Sequence, residues 1–325
     1  MKHITILVPE SAAINGVEGP RLGFNEVNSY LQSRGEKPLF NVVFAGLKKS
    51  VKVSDGRYTI TTDVLIDSIK RTDLIIIPAL YGDLGKAVAA NKKLIPWIVA
   101  QHKKGAEVAS LCVGAFLLAA TGLLKGKQCS THWRATNDFR RLFPDVNLVV
   151  DKILTDEDGI YSSGGAYSST NLILYLIEKY AGREIAIYCS KFFQLDIDRG
   201  CQSPFIMFNG QKEHDDDSVK EIQNFIENNF AERIKVDRLA EMAALSRRNL
   251  ERRFKKATAN TMVEYIQRVK IEAAKKSLEG SRKSINEVMF DVGYSDTKAF
   301  RTVFKKITGL SPVQYRNKYS NIVTA

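Results

Sequence analysis

The last third of the sequence contains an internal repeat, and this repeat limits the possible folds of the chain more than any other feature. Residues 244–265, "ALSRRNLERRFKKATANTMVEY", match residues 294–315, "YSDTKAFRTVFKKITGLSPVQY". The triplet "FKK" recurs in both segments, and Tyr265 is matched by Tyr315. Because self-similarity of this kind marks a repeated supersecondary unit, we expect two copies of one helical unit here.

Each copy has the pattern of a helix, a tight turn and a second helix. The first runs from "VDRLAEMAA" through Leu245 and Ser246 to "RRNLERRFKKA", and the second from "INEVMFDV" through Gly293 to "DTKAFRTVFKKI". Glycine supplies the positive φ that a sharp turn between helices often needs. Capping-box spacing marks helix starts at Ser218, Thr261, Ser284 and Ser311. The pattern predicts two helix-turn-helix units, whose second helices enter the DNA major groove.

Helical geometry separates a buried from an exposed face on each second helix. Leu250 and Phe254 define the buried stripe in the first unit, and Phe300 and Phe304 define it in the second. The outward candidates for DNA contact are Arg248, Glu251, Arg252, Lys255, Lys298, Arg301 and Thr302. An arginine can hold a guanine through two hydrogen bonds, which discriminates between bases. The alternative is a helical bundle with basic, solvated faces.

The positive charge of the chain is concentrated in the same region. The formal net charge is +12. Residues 218–325 carry 22 Lys and Arg against 12 Asp and Glu, so they contribute +10 of it. This excess predicts a polyanionic partner, with nucleic acid first and an anionic membrane second. Arg253, Arg316 and Lys318 are suited to phosphates, which position a protein on DNA without specifying sequence.

A single helix is predicted between the two repeated units. Residues 262–280, "MVEYIQRVKIEAAKKSLEG", show uninterrupted helical periodicity. A helix of about 18 residues spans about 27 Å, and successive major-groove faces lie about 34 Å apart. A rod of this length would hold the two reading helices near successive turns of one DNA face.

The first two thirds of the chain alternate between strand-like and helix-like segments. The runs "ITILVP", "LFNVVFAG", "LIIIPAL", "EVASLC" and "GIYSSGG" have strand length, and "RLGFNEVNSYLQSRG", "VLIDSIKR", "KLIPWIVAQHKKG", "GAFLLAATGLL" and "SSTNLILYLIEKYAG" have helical periodicity. The alternation predicts an α/β fold with a doubly wound parallel sheet. Functional groups gather at the carboxyl ends of such strands, where "PALYGD", "SLCVG", "CSTHW" and "SSGGAYSS" lie.

A change in composition separates the two regions. The segment "DRGCQSPFIMFNGQKEHDDDS" mixes glycine, proline and an acidic run, and the pattern beyond it is helical throughout. We therefore predict an α/β domain at 1–200, a linker at 201–217 and an all-α domain with two helix-turn-helix units at 218–325.

Composition argues against several classes of protein. No run of about 18 apolar residues occurs, so a transmembrane helix is not expected. The first residues, "MKHITILVPE", have the pattern of a first strand rather than of a signal peptide. Cys112, Cys129, Cys189 and Cys201 form no C-x-x-C pair, and the four histidines are scattered. We expect reduced thiols, a cytoplasmic protein, and neither a metal nor a cofactor.

The C-terminal region closely resembles the AraC family of bacterial transcription regulators. The resemblance rests on "LAEMAALSRRNLERRFKKAT", "YIQRVKIEAAKKSLEG" and "INEVMFDVGYSDTKAFRTVFKKITGLSPVQYR". It implies that bases are contacted by Arg248, Glu251 and Arg252 in the first unit and by Thr297, Lys298, Arg301 and Thr302 in the second. It also implies double-stranded operator DNA, a homodimer and contact with RNA polymerase. In "ATAN" the family's usual glycine is missing, and Asn260 is expected to adopt the same turn.

The N-terminal region resembles the PfpI-like branch of the class I glutamine amidotransferase-like fold. The resemblance covers residues 1–200 and rests on "SLCVGAFLLAATGLLKG", "STHW" and "IYSSGGAYSSTNLILYLIEKYAG". It implies that Cys112 lies on a nucleophile elbow, where the next backbone N–H groups can hold an anion. A helix beginning there would lower the pKa of the thiol and make Cys112 the most reactive of the four cysteines.

The residues needed for hydrolysis are incomplete around this elbow. Val113 follows Cys112 at the place where proteolytic relatives have a histidine, and the late H-x-E pair of glutamine amidotransferases is missing. A catalytic cysteine needs a base within reach, and the candidates are His132 and Glu18. The alternatives are that His132 is a buried histidine beside Trp133, and that Glu18 is a carboxylate at a helix start.

We therefore predict a sequence-specific DNA-binding transcription regulator that is not an enzyme and has no catalytic residue. Its small-molecule effector pocket is predicted to include Cys112, Val113, His132, Glu18, Tyr81 and Gly82. Two alternatives remain open. One is a hydratase- or amidase-like enzyme that uses Cys112 and is coupled to DNA binding. The other is a redox sensor that works through oxidation of Cys112.

Overall fold

The computed structural model describes residues 1–197 and 201–320. It divides the chain into two units, Met1–Gln202 and Ser203–Ala325, and each is described separately below. The division lies at the start of the predicted linker, and residue 200, the predicted end of the first domain, lies outside the described residues. In the described part of the chain, no helix is both long and apolar enough to cross a membrane.

The first unit is built on a seven-stranded sheet whose five central strands are the five apolar runs of the sequence. The strands are β1 Lys2–Leu7, β2 Phe40–Gly46, β3 Ser50–Val53, β4 Tyr58–Thr61, β5 Val64–Leu65, β6 Leu74–Ile77, β7 Glu107–Ser110, β8 Gln128–Cys129, β9 Asn147–Leu148, β10 Leu154–Glu157 and β11 Ile160–Ser163. The sheet order is β10-β11-β7-β6-β1-β2-β5, and β10 alone runs antiparallel to its neighbour. The predicted parallel α/β sheet is confirmed.

Helices cover both faces of this sheet. They are α1 Ile14–Ser33, α2 Leu84–Ala90, α3 Leu94–Lys103, α4 Ala115–Ala120, α5 Thr136–Leu142, α6 Ser169–Ala181 and α7 Arg183–Phe193. On one face, Ile4 of β1 belongs to a buried cluster with Phe24 of α1 and Leu176 of α6. On the other face, Ile75 of β6 belongs to a cluster with Phe116 of α4. The alternation of apolar side chains along the strands therefore fills two cores.

One predicted helix of the first unit is wrong. The segment "VLIDSIKR" forms strand β5 and then a single 3-10 turn at Ile66–Ser68. Val64 pairs with Ala45 of β2, and the Asp63 carboxylate accepts a hydrogen bond of 2.7 Å from the Phe44 amide. Because this segment is short, pairing with the sheet edge outweighs its helical preference.

The second unit is helical over its described residues, as predicted. Its helices are α8 Asp217–Asn228, α9 Val236–Met242, α10 Arg247–Thr258, α11 Met262–Gly280, α12 Ile285–Asp291, α13 Thr297–Thr308 and α14 Pro312–Tyr319. Each repeat has its own core, one around Leu250 and Phe254 and the other around Phe300 and Phe304. Helix α11 contributes to both cores and has the bounds predicted for the helix between the repeats.

Three of the four predicted helix starts carry the expected caps. Thr261, Ser284 and Ser311 each form a complete capping box with the side chain three residues later. The prediction for Ser218 is wrong, because α8 begins earlier, with Asp216 as its N-cap. The Asp216 carboxylate accepts a hydrogen bond from the Val219 amide at 3.1 Å. An aspartate accepts this bond as well as a serine does.

The tight turns depend on left-handed backbone conformations. Gly293 has a φ of +74°, and a Cβ at this position would collide with the Ala231 carbonyl oxygen. After α10 the left-handed residue is Ala259, with a φ of +56°, whereas Gly309 takes this role after α13. The expectation that Asn260 would replace the family glycine is therefore wrong. The Asn260 side-chain amide instead donates to the Thr258 backbone carbonyl at 2.7 Å.

Candidate nucleic-acid interface and ligand cavity

Cys112 lies on a sharp turn between β7 and α4. Its φ is +54°, which is rare for a residue other than glycine, and a 3-10 turn at Cys112–Gly114 leads into the helix. A Cβ on Gly114 would lie 2.7 Å from the Ile77 carbonyl oxygen, so the turn packs tightly against the end of β6. The strand–cysteine–helix arrangement is a strained elbow at the carboxyl edge of the sheet.

The backbone amides that follow Cys112 are already used within the elbow. The Gly114 amide donates to the Leu111 carbonyl at 2.8 Å, and the Val113 amide donates to the Cys112 thiol. The Cys112 amide itself donates to the Ser163 hydroxyl at 3.2 Å. The Gly114 amide is therefore engaged within the elbow, and anion binding by the amides after Cys112 stays a prediction.

The Cys112 thiol is a buried group, and its acidity follows from that burial. The residue is 6% exposed. Burial raises the pKa of the thiol to about 11, which outweighs the lowering effect of the Val113 amide. The predicted lowering of this pKa is wrong, because the removal of water destabilises the thiolate more than the Val113 amide stabilises it. Cys201 is more exposed than Cys112, Cys129 and Cys189, which are all buried.

A cavity of about 820 Å³ brings together five of the six residues predicted for the effector pocket. Its lining includes Cys112, Val113, His132, Tyr81 and Gly82. Four of these residues follow β6 and β7 of the seven-stranded sheet, and His132 follows β8, which pairs with β9 in a separate two-stranded sheet. The lining also contains residues that the sequence analysis did not select, among them Asn15, Asp83, Arg134, Asp138, Arg141 and Ser169. The loops "PALYGD" and "SSGGAYSS" contain Asp83 and Ser169, but the sequence could not identify which of their side chains line the cavity.

Glu18 is not among the residues that line this cavity. It lies in the second turn of α1, and its carboxylate pairs with Arg21 at 2.5 Å. The Arg21 guanidinium in turn lies over the Phe44 ring, 5.1 Å from its centroid. The predicted helical segment began at Arg21, but α1 already begins at Ile14, so Glu18 lies inside the helix and its carboxylate pairs with a side chain three residues later.

The charged groups of the cavity differ in how far they are neutralised. Asp83 caps α2 by accepting a hydrogen bond of 2.9 Å from the Lys86 amide, and Asp138 pairs with Arg141 at 2.9 Å. Arg134 is exposed and forms no ion pair with any residue that the structure describes. Arg134 is thus a cation of the cavity with unused capacity for an anion.

His132 lies in the same cavity but is not arranged as a base for Cys112. Its Nδ1 accepts a hydrogen bond of 3.1 Å from the Arg134 amide. Burial and then the Arg134 charge lower the pKa of His132, which favours its neutral imidazole. Within residues 1–197 and 201–320, no hydrogen bond joins the imidazole to the Cys112 thiol.

Both helix-turn-helix units present their predicted residues to solvent. The exposed positions are Arg248, Glu251, Arg252, Lys255, Lys298, Arg301 and Thr302, and Thr297 is partly buried at the start of α13. Arg252 donates to the Asn249 side chain at 3.0 Å, and Glu251 pairs with Arg247 at 3.0 Å. Buried side chains occupy the opposite face of each helix, so α10 and α13 each have one exposed polar face.

Comparison with known proteins gives the same two parts. The DJ-1/PfpI family model matches residues 26–179, and a helix-turn-helix domain model matches residues 239–318. This chain combines a DJ-1/PfpI domain with an AraC-type helix-turn-helix domain. It is therefore an AraC-type helix-turn-helix regulator that binds DNA.

Two curated relatives align with more than four fifths of this chain, and one solved structure aligns with part of it. The HTH-type transcriptional regulator GbdR of Pseudomonas aeruginosa is 28% identical over 268 residues, which cover 81% of this chain and 71% of the relative. The HTH-type transcriptional regulator CdhR of the same species is 24% identical over 82% of this chain and 78% of its own length. A putative transcriptional regulator from Vibrio parahaemolyticus has the same fold over 59% of this chain and 98% of its own, with 20% identity and a TM-score of 0.53.

Two basic side chains of the AraC-type domain are engaged within the protein. Arg253 was predicted to contact phosphate, but it makes two hydrogen bonds to the Asp216 carboxylate, of 2.6 and 2.9 Å. Arg316 donates to the Lys283 carbonyl. Contact of these two residues with phosphate stays a prediction, because helix periodicity shows which side chains leave the core but not which neighbouring element they meet.

Proposed function

We propose that this regulator changes its DNA binding when a small molecule occupies the Cys112 cavity. The observation that carries the proposal is the cavity itself. It has a volume of about 820 Å³, within the range of small-molecule sites, and it lies beyond the carboxyl ends of β6 and β7, two neighbouring parallel strands of the seven-stranded sheet. It belongs to the DJ-1/PfpI unit, whereas the base-reading helices belong to the other unit. A sensor input and a DNA-binding output are thus housed in separate units.

The cavity serves binding rather than turnover in this proposal. A cysteine hydrolase needs a thiolate and a base in contact with it. Here burial raises the pKa of Cys112, His132 bonds to the Arg134 amide, and the Gly114 amide is used by Leu111. These three observations count against the hydratase or amidase alternative. The raised pKa also counts against oxidation of Cys112 as the signal, because the thiolate is the form that reacts.

The charges of the cavity indicate the kind of molecule it would accept. Arg134 is a cation that no described carboxylate neutralises, beside a neutral His132. Tyr81 and Leu142 also line the cavity and remain exposed at 47% and 46%. We infer an effector with an anionic group held by Arg134 and an apolar part near these two side chains.

The expected partners are operator DNA, a second copy of the chain and RNA polymerase, and the expected location is the cytoplasm. What supports these points is the resemblance to the AraC family and the transcriptional regulators among the bacterial relatives. The two reading helices of one chain, α10 and α13, would each occupy a major groove of the same duplex.

A thermal-shift screen of the full-length protein with a panel of small carboxylic acids tests the sensor role. We expect at least one compound to raise the melting temperature, to lose its effect in Arg134→Gln, and to be recovered unchanged by mass spectrometry. Arg57→Gln, at an exposed position outside the cavity lining, is the matched control and should keep the effect. Consumption of the compound with release of a product would show an enzyme, and a panel without any binder would count against the proposed ligand class.

A further inference from the structure

Gln202, the last residue of the DJ-1/PfpI unit, is anchored inside that unit. It is 2% exposed. Its backbone amide donates to the Asp151 carbonyl at 2.9 Å. Its side-chain amide nitrogen lies within hydrogen-bond distance of three backbone carbonyls, those of Val150 at 2.7 Å, Lys152 at 3.2 Å and Thr131 at 3.3 Å. Its side-chain oxygen accepts from the Gly165 amide at 3.2 Å. A buried amide with donor and acceptor both satisfied holds its surroundings in one arrangement.

The same contacts reach the rear of the ligand cavity. Thr131 directly precedes His132, and Gly165 directly precedes Ala166; His132 and Ala166 both line the cavity. A Cβ on Gly165 would lie 3.4 Å from the His132 imidazole, so these two loops touch. A Cβ on Gly164 would lie 2.7 Å from the Gln202 side-chain carbon Cδ, so the Gln202 amide packs directly on this backbone. Gln202 therefore contacts both the loop that contains His132 and the loop that contains Ala166.

The residues immediately after Gln202 are held by the AraC-type unit. Ser203 and Pro204 are buried, and the Ile206 carbonyl accepts a hydrogen bond of 2.7 Å from Lys275. The Phe208 amide donates to the Glu272 carboxylate at 3.1 Å. Both of these partners lie on α11, the helix that joins the two helix-turn-helix units. The segment 203–208 is thus fixed to the element that sets the spacing of the reading helices.

We propose that Gln202 transmits ligand occupancy of the Cys112 cavity to the segment 203–208 and, through it, to α11. The inference rests on the proposed function, since it needs a ligand in that cavity. A ligand that displaces the His132 loop or the Ala166 loop moves the Thr131 carbonyl and the Gly165 amide, and both of these bond to the Gln202 side chain. The chain continues from Gln202 into segment 203–208 without an intervening residue. A change in the hydrogen bonds of Gln202 therefore alters the hydrogen bonds that segment 203–208 makes to Lys275 and Glu272 of α11.

A double-mutant cycle on the full-length protein tests this link. The readout is the Kd for one DNA duplex, selected from a randomised library by the wild-type protein. Ala166→Trp places an indole at the cavity and stands in for a ligand. Gln202→Glu keeps the shape of the side chain but sets a carboxylate against three carbonyl oxygens. Gln32→Glu makes the same chemical change at an exposed position of α1 and is the matched control.

We expect Ala166→Trp to change the Kd at least about fivefold in the wild-type and Gln32→Glu proteins, and less than about twofold in Gln202→Glu. Gly164→Ala should remove the coupling in the same way, because its Cβ displaces the Gln202 amide without altering it. The Gly164→Ala variant also replaces Gln202→Glu in the double-mutant cycle if the Gln202→Glu protein fails to fold. The alkylation rate of Cys201, next to Gln202 in the chain, should rise in both variants.

The outcomes separate this inference from the function on which it rests. An equal effect of Ala166→Trp in every background overturns the role of Gln202 and leaves the cavity as an effector site. No effect of Ala166→Trp on the wild-type protein means that the cavity does not influence DNA binding, and both proposals then fail.

Discussion

Arg253 of α10 and Asp216, the N-cap residue of α8, are joined by two hydrogen bonds of 2.6 and 2.9 Å. The same carboxylate accepts the Val219 amide, so it fixes the start of α8 and holds α10 against it. The hydrogen bond from Arg253 is the main reason that the pKa of Asp216 is lowered. A side chain on the first predicted reading helix thus links that helix to the start of α8.

Asp216→Ala should destabilise the AraC-type unit by about 1–2 kcal/mol at pH 7, because a helix cap and an ion pair are lost together. The pKa of Asp216 is lower in the folded state than in the unfolded state. The contribution of Asp216 to folding stability is therefore fully present above the unfolded-state pKa, and it is lost as the pH falls through the folded-state pKa. Urea unfolding at pH 7 and in the acid range measures this. Asp217→Ala, at a 91% exposed carboxylate, is the control, and equal destabilisation by both variants would contradict the account.

Base contact and phosphate contact should be distinguishable on α10 and α13. Arg252→Ala should cost on the order of 1–3 kcal/mol of binding and relax the preference at one base pair. Lys306→Ala, at an exposed lysine in the last turn of α13, should weaken all sequences about equally and reduce the salt dependence. Binding to a randomised duplex library at several salt concentrations measures both. Uniform loss in both variants would show that Arg252 is not a base-reading residue.

The four cysteines should react in an order set by exposure. Cys201 should be alkylated first and Cys112 slowly, with a rate that rises about tenfold per pH unit between pH 7 and 9 because the pKa of Cys112 is about 11. Limited alkylation followed by peptide mapping measures the order, and the urea-unfolded protein is the reference. Cys112→Ser should leave the DNA affinity of the ligand-free protein nearly unchanged. Preferential labelling of Cys112 would show a reactive elbow thiol.

The turn at Gly293 should tolerate no side chain. Gly293→Ala forces a left-handed alanine and a collision with the Ala231 carbonyl, and should cost more than about 2 kcal/mol of unfolding free energy. Gly280→Ala, where no atom lies within 4 Å of the added methyl group, should be neutral or slightly stabilising. Thermal unfolding compares the two variants. A stable Gly293→Ala protein would mean that the turn relaxes without penalty.

The helical unit of the protein was predictable because its signals are local. A capping serine lies three residues from its partner, and the bounds of α11 follow from periodicity and the caps alone. The five central strands of the sheet were predictable for a similar reason, since each is a short apolar run, whereas the edge strands β5 and β10 were not predicted. Sequence reasoning failed where a distant partner decides the outcome. Asp216 displaces Ser218 as a cap partly because Arg253, 37 residues later, holds it there.

The candidate site could be located from the sequence but not described chemically. Parallel-sheet topology placed Cys112, His132 and Tyr81 at one edge, and the structure brings them to one cavity. The pKa of Cys112 depends on how much water reaches the sulfur, which is a property of packing that a helix-start argument ignores. Glu18 was misplaced because the start of α1 carries no capping side chain that the sequence could reveal.

The measurement that tests the central claim most directly is the Kd of the full-length protein for the selected duplex, with and without a compound that stabilises it in the thermal-shift screen. At saturating compound, the account predicts a change in Kd of at least about fivefold in the wild-type protein and no change in Arg134→Gln. The same Kd in the presence and absence of bound compound would contradict it.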